Sequence, residues 1–289
     1  MVVPFPPGGG TDFVARSVAS RLSEALGQPI VAENRPGAGG TIGADAVARA
    51  APDGYTIGIA TSSTHPAALV LQRNVPYDPV ASFSAITQIG VTPYILIGGP
   101  AANATTLAEF IAHARANPGR VNYASVGVST LGYLLTRQFE NLTGISMVHV
   151  PYRGSAQVYP DLMNGTVAVL LDNPSGSAGL VRDGRLRAFA VTRPTAVLPE
   201  VPTFAQAGVA GFEGVFWYGF VAPAGTPRLI VERIQSEVAR ILASEEGRRE
   251  LIARDVTPIG STADEFTAVI ASDVSWMRAL AARLDIRPE

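Results

Sequence analysis

Val2-Val3-Pro4-Phe5-Pro6-Pro7-Gly8-Gly9-Gly10-Thr11-Asp12 opens the chain. Two β-branched residues lead into a Pro-Gly turn, and the turn leads into a helix. That helix shows in Val14, Val18, Leu22 and Leu26, which recur every fourth position, with Gly27 ending it. A strand–turn–helix of this kind leaves several backbone N–H groups at the helix start without partners inside the helix. Together with the positive end of the helix dipole, they make an anion site that needs no basic side chain. Three glycines strip the loop of Cβ atoms, so a ligand can reach the backbone itself.

The alternation of strand and helix continues outward from this unit. Pro29–Glu33 reads as a short strand, followed by a small-residue helix over residues 41–51. Further strands are expected at Tyr55–Thr61, Val121–Ser125, Met147–Val150, Val167–Asp172, Leu186–Thr192 and Trp217–Ala222. Thr106-Leu107-Ala108-Glu109 and Thr262-Ala263-Asp264-Glu265 are capping boxes that start helices. Thr226-Pro227 predicts another helix start, Thr as N-cap and Pro at the first helical position, with Ile230, Ile234, Val238 and Ile241 on one face. This order predicts an α/β architecture with largely parallel sheets.

Composition narrows the chemistry. The chain has 289 residues, is 47% hydrophobic and carries a net charge of −2. That length suits two lobes of about 100–200 residues each, and no low-complexity linker separates them. The near-neutral balance argues against a nucleic-acid or anionic-membrane partner. No apolar run reaches the about 18 residues a membrane span needs. There is no cysteine, which excludes disulfides and thiolate catalysis, and all 22 basic residues are arginine, which excludes Schiff-base lysines and a Walker-A lysine. The missing lysine otherwise reads as the mark of a GC-rich genome.

Enzymatic signatures are weak. Gly37-Ala38-Gly39-Gly40-Thr41-Ile42-Gly43 has the look of a dinucleotide fingerprint, but Pro36 sits at its turn and the next strand ends in Thr61-Ser62-Ser63 without an acidic residue for a ribose. No Gly-x-Ser-x-Gly elbow is present. His65, His113 and His149 are scattered; His113 reads as a surface residue and His149 as structural. No His or carboxylate pair has metal-ligand spacing. We therefore expect no catalytic residue, no metal and no cofactor. What remains is a set of Gly/Ser/Thr loops at strand C-termini, Pro7–Asp12, Thr61–His65, Ser125–Thr130 and Asp172–Ser177. Ligands of open α/β sheets bind at that edge.

The opening segment resembles that of the tripartite tricarboxylate transporter receptors, also called Bug receptors. The likeness runs on through Leu26-Gly27-Gln28-Pro29, Glu33-Asn34-Arg35-Pro36-Gly37-Ala38-Gly39-Gly40, Ala51-Pro52-Asp53-Gly54-Tyr55 and Pro76-Tyr77-Asp78-Pro79. It continues in His149-Val150-Pro151-Tyr152-Arg153-Gly154, Val201-Pro202-Thr203-Phe204 and Ala222-Pro223-Ala224-Gly225-Thr226-Pro227. The resemblance implies a non-enzymatic periplasmic solute receptor of the type II periplasmic-binding-protein fold. Two Rossmann-like lobes, residues 1–99 with 223–289 and residues 100–222, would be joined by two crossing strands around a ligand cleft. A monomer capturing a small organic carboxylate for membrane permease subunits is implied; a carboxylate sensor or an enzyme on the same fold are the alternatives.

Carried over by position, the first-lobe binding candidates are Pro7, Gly8, Gly9, Thr11, Asp12, Ser62, Thr64 and His65. The second-lobe candidates are Ser125, Gly127, Ser129, Thr130, Arg153, Gly154 and Asp172. Asp12 can equally stabilise its helix start, and Asp172 can either meet the ligand or brace a loop. Phe216 and Trp217 can line the cleft or pack in the core. Three features depart from the family pattern. Met1 abuts the first strand, leaving no signal peptide, which fits a cytosolic protein or a mature chain with an added start Met; the resemblance implies the mature periplasmic form. Tyr133 stands where a His is common, and Asn173-Pro174-Ser175-Gly176 displaces a usual serine. Tyr133 motivates an aromatic or medium-chain dicarboxylate as ligand.

Overall fold

The computed structural model describes residues 1–288. In chain order the elements are β1 (Val2–Val3), α1 (Gly10–Leu26), β2 (Glu33–Asn34), α2 (Thr41–Ala48), β3 (Gly58–Thr61), α3 (Ala68–Leu71) and β4 (Phe83–Pro93). Then follow β5 (Ile95–Gly98), α4 (Leu107–Ala116), β6 (Asn122–Ser125), α5 (Leu131–Thr143), β7 (Val148–Pro151), α6 (Ser155–Asn164), β8 (Val169–Asp172), α7 (Pro174–Arg182) and β9 (Arg187–Val191). β10 (Val215–Pro223), α8 (Arg228–Ala243), α9 (Glu245–Ile252), β11 (Thr257–Pro258) and α10 (Ala263–Arg283) complete the chain.

The chain divides into two compact units, Met1–Val91 with Trp217–Glu289, and Thr92–Phe216. It therefore passes between them twice, within β4 and within β10. The passages fall at 91/92 and 216/217, since β5 pairs within the second unit's sheet and most of β10 lies in the first unit's.

Unit 1 is built on a sheet in the order β11-β4-β10-β3-β1-β2. β1 runs parallel to both β2 and β3, while β10 is antiparallel to β3 and β11 to β4. Unit 2 carries the order β7-β6-β8-β5-β9, with β6 parallel to β7 and β8, and β5 antiparallel to β8 and β9. The sheets are thus mixed rather than largely parallel. The strand–helix units supply the parallel pairs, whose crossovers demand it.

Each unit has its own core. Val2, Val47, Ala60, Phe83, Trp217 and Phe266 belong to one cluster of unit 1, and Ile95, Ile97, Ala124, Leu162, Leu170 and Val191 to one of unit 2. The face predicted for α1 is buried at Val14, Val18 and Leu22, and Gly27 closes the helix in the left-handed conformation, φ 65°. Both capping boxes form, with Thr106 and Thr262 accepting from Glu109 and Glu265. Three local expectations differ. β2 is Glu33–Asn34 rather than 29–33, and β3 begins at Gly58, with Tyr55 standing 91% exposed. The N-cap of α8 is Pro227; the Thr226 hydroxyl donates to the Pro223 carbonyl at 2.8 Å, closing the preceding turn instead of capping the helix.

Candidate functional site

β1 and β3 are parallel neighbours, so the turns after them leave the same edge of the unit 1 sheet. The first turn carries Pro7, Gly8 and Gly9 into α1. Gly9 is the N-cap and has no side chain with which to cap the helix. Gly8 adopts φ +84°, a conformation that favours glycine, and it and Pro7 are exposed. A Cβ at Gly9 would meet nothing nearer than the Pro6 carbonyl oxygen at 3.9 Å, so the space above the turn is open. Thr11 is buried in the first helical turn.

Asp12 is tied into the turn. Its Oδ2 accepts the Gly8 N–H at 3.0 Å, and Oδ1 accepts from Arg16 Nε at 2.9 Å and Asn34 Nδ2 at 2.8 Å. Asn34 Nδ2 also donates to the Phe5 carbonyl at 2.9 Å, tying β2 to the turn. Burial pushes the Asp12 carboxyl up, but the Asn34 amide, the Gly8 N–H and Arg16 outweigh it and hold it below the ordinary carboxylate value. These three contacts brace the turn. Arg16 and Asn34 were missed from sequence; the Asp12–Arg16 spacing of four on a helix was the available signal.

The turn after β3 directs its side chains inward. Thr64 Oγ1 accepts the Thr61 N–H at 3.0 Å and lies 3.0 Å from His65 Nδ1, while Ser62 Oγ accepts the Trp217 N–H at 2.9 Å. His65 is packed against Phe83, ring centroids 4.6 Å apart, and burial pushes its pKa down to about 3. Ser62, Thr64 and His65 therefore brace unit 1 from within. The physical reason is that this segment forms a wide turn, Ala67 N–H donating to the Ser62 carbonyl, that folds back under the sheet edge. Trp217 is likewise core: its indole N–H donates to Asp273 at 2.7 Å and its ring meets Phe266 edge-on at 5.1 Å. Phe216 is buried against Tyr94, centroids 6.0 Å apart.

In unit 2 the parallel strands β6, β7 and β8 bring three more turns to one sheet edge. After β6, the Ser125 hydroxyl accepts the Gly127 N–H at 3.1 Å, and Gly127 turns the chain at φ +123°. Ser129 and Thr130 are buried as the chain enters α5. Thr130 is the N-cap of α5, yet its hydroxyl donates to the Gly127 carbonyl at 2.8 Å rather than capping. Tyr133, one turn into α5, rests on the His149 ring at 4.9 Å. After β7, Arg153 is exposed, and Gly154 is the N-cap of α6 without a side-chain cap.

Asp172, at the end of β8, is a second brace. Oδ1 accepts from Ser155 at 2.9 Å and Oδ2 from Tyr159 at 2.7 Å. Burial raises its pKa against the lowering effect of Tyr159, the Asn173 backbone and Ser155. Gly176 explains part of the departure at 173–176, since a Cβ there would stand 2.3 Å from the Tyr159 hydroxyl oxygen. Ser155 and Tyr159 carried no sequence signal, because their partner lies on a strand beyond the helix.

One pattern joins the two edges. α1, α2, α5, α6 and α7 all begin where parallel strands end, and none has a side-chain cap. α4, α9 and α10 are capped by Thr106, Ser244 and Thr262. α8 also lacks a side-chain cap but starts beyond β10, an antiparallel strand. Among the described residues no cluster of His, Cys, Asp and Glu could hold a metal, and no helix is long and apolar enough to cross a membrane.

The sequence pattern of the tripartite tricarboxylate transporter family receptor matches residues 14–286. Protein BugT of Bordetella pertussis is 35% identical over 277 residues, covering 95% of this chain and 85% of that protein. An R. palustris protein solved with adipate superposes with a TM-score of 0.96 at 35% identity, covering 100% of this chain and 97% of that one. MatC of Rhodopseudomonas palustris with bound malate gives 0.91 at 30% identity, covering 96% and 97%. This chain belongs to the tripartite tricarboxylate transporter receptor family, and it has that family's two-unit periplasmic-binding-protein fold.

Proposed function

We propose that this receptor captures a small organic carboxylate, a dicarboxylate foremost, in the periplasm and delivers it unchanged to membrane permease subunits. The observation that carries the reading is the uncapped start of α1 beneath an open glycine turn. Helix-start amides without a capping side chain are donors waiting for an anion. The N–H groups of Gly9 and Thr11 would hold one carboxylate, with Pro7 and Gly8 lining the turn and the Gly8 N–H kept on Asp12.

On unit 2, Ser125, Gly127, Ser129, Thr130, Arg153 and Gly154 are the residues we propose for carboxylate binding, with Tyr133 and Phe216 selecting among acids. Asp12 and Asp172 support the turns without touching the ligand. Two similar structures hold adipate and malate, which favours dicarboxylates as the class.

A thermal-shift screen followed by calorimetry tests this reading. Adipate, malate, phthalate, benzoate and ATP are each offered to the protein, and the acids are recovered and weighed by mass spectrometry. The expected result is stabilisation by at least one dicarboxylate, none by ATP, and quantitative recovery. Turnover of any acid, or stabilisation by the nucleotide alone, contradicts it. Stabilisation by phthalate but not by the aliphatic acids would assign Tyr133 to an aromatic ligand.

A further inference from the structure

Ser125 ends β6, and His149 stands on β7 opposite Tyr123 of β6, two residues before Ser125. Nε2 of His149 lies 2.7 Å from the Ser125 hydroxyl oxygen. That oxygen already accepts the Gly127 N–H at 3.1 Å. A serine hydroxyl has one hydrogen and two lone pairs. With Gly127 on one lone pair, His149 decides how the other two valences are used.

When Nε2 is unprotonated it accepts the hydroxyl hydrogen, and Ser125 presents only a lone pair to its surroundings. A lone pair repels a carboxylate oxygen. When Nε2 carries a proton it donates to the second lone pair, and the hydroxyl hydrogen is released to donate to an anion. One proton on His149 thus converts Ser125 from an acceptor into a donor. The imidazole is well placed to keep this geometry, because Tyr123 and Tyr133 flank it with ring centroids at 5.0 and 4.9 Å. Tyr123 and Ser125 from β6 and Tyr133 from α5 are among the groups that face it. The Arg137–Glu140 ion pair of α5 acts on Tyr123 beyond them.

We propose that His149 is a positioning residue that sets the direction of the Ser125 hydroxyl hydrogen and so couples one proton to carboxylate capture. The proposal rests on the reading that Ser125 serves the ligand.

Two measurements on the full chain test it. In the first, nitrogen-15 NMR of histidine-labelled protein follows His149 between pH 5 and 8, assigned by its loss in His149→Gln; only two other histidines are present. The expected result is an unprotonated Nε2 at pH 8 that gains a proton on acidification, with its signal moved by Ser125→Ala. An Nε2 protonated at pH 8, or an imidazole that keeps one state throughout, overturns the proposal. In the second, calorimetry gives the Kd of adipate and of malate at pH 8 and pH 6. Affinity in the native protein should rise roughly tenfold on acidification, as a hydrogen bond to a charged group warrants. In His149→Gln, whose amide does not titrate, only the slope due to the acid's own ionisation should remain. Equal slopes in the two proteins overturn the proposal. Absence of binding by both acids counts against the receptor's assigned ligand class, and the NMR arm then decides the His149–Ser125 coupling alone.

Discussion

Asp12 accepts three hydrogen bonds in the turn that opens the chain, and its loss has a calculable direction. Asp12→Ala leaves the Gly8 N–H and the Asn34 amide without their acceptor, which should cost about 1–3 kcal/mol in urea unfolding. Its carboxyl is held below the ordinary value, so its contribution is present above that value and is lost as pH falls through the depressed one. His65 contributes in the same direction over a wider window. Its pKa is about 3 in the fold against 6.5 for the free residue, so between those values the unfolded chain binds the extra proton. Stability is complete above pH 6.5 and declines towards pH 3, with a ceiling of about 5 kcal/mol at about 1.4 kcal/mol per pKa unit. Unfolding free energies measured as pH is lowered from 7 to 4 should fall steeply in the native protein and less steeply in His65→Leu; parallel curves would contradict this.

At the scale of elements, α6 is pinned to the end of β8 through Ser155, Tyr159 and Asp172, and Gly176 of α7 leaves room for the pin. Tyr159→Phe should cost about 1–3 kcal/mol, because one oxygen of a buried carboxylate loses its donor. Gly176→Ala should destabilise by displacing the same hydroxyl. The double variant should cost less than the sum of the two, since the obstructing oxygen is gone. Additive losses would show that the two positions act separately.

The pin also shows what sequence could and could not carry. The capping boxes at Thr106 and Thr262 were legible because both partners lie within one helical turn. The opening turn was legible for the same reason, as were the strand-end loops and the family likeness. Asp12 and Asp172 stayed open because Asn34 and Tyr159, 22 and 13 residues away, decide their roles. The inward course of Ser62, Thr64 and His65 was not legible, because polarity alone does not say which way a turn folds, and theirs folds under the sheet. Trp217 has a polar handle whose partner, Asp273, lies 56 residues on. His149, read as structural, proved to sit on a candidate binding hydroxyl, a pairing that only the register of β6 and β7 reveals.

At the scale of the molecule, the chain is two units with different connectivity. Thr92–Phe216 is one continuous segment with its own sheet and core, whereas the other unit is assembled from both ends of the chain. A domain with its own core can fold alone. The segment 92–216 should therefore unfold cooperatively in urea with a dispersed NMR spectrum, while neither end segment should do so by itself. A collapsed, non-cooperative 92–216 would mean that its core depends on the rest of the chain.

The receptor reading turns on whether the amides of the opening turn hold a carboxylate, and one substitution isolates them. Gly9 has φ −82° and room for a Cβ, so Gly9→Val keeps the backbone conformation while placing two methyl groups over the turn. Calorimetric titration of adipate into the native protein and into Gly9→Val, with circular dichroism to confirm the fold, measures the effect. The account predicts an intact fold and an affinity at least about a hundredfold weaker, roughly 2.7 kcal/mol. An unchanged Kd in a folded Gly9→Val protein would show that the ligand does not approach this turn.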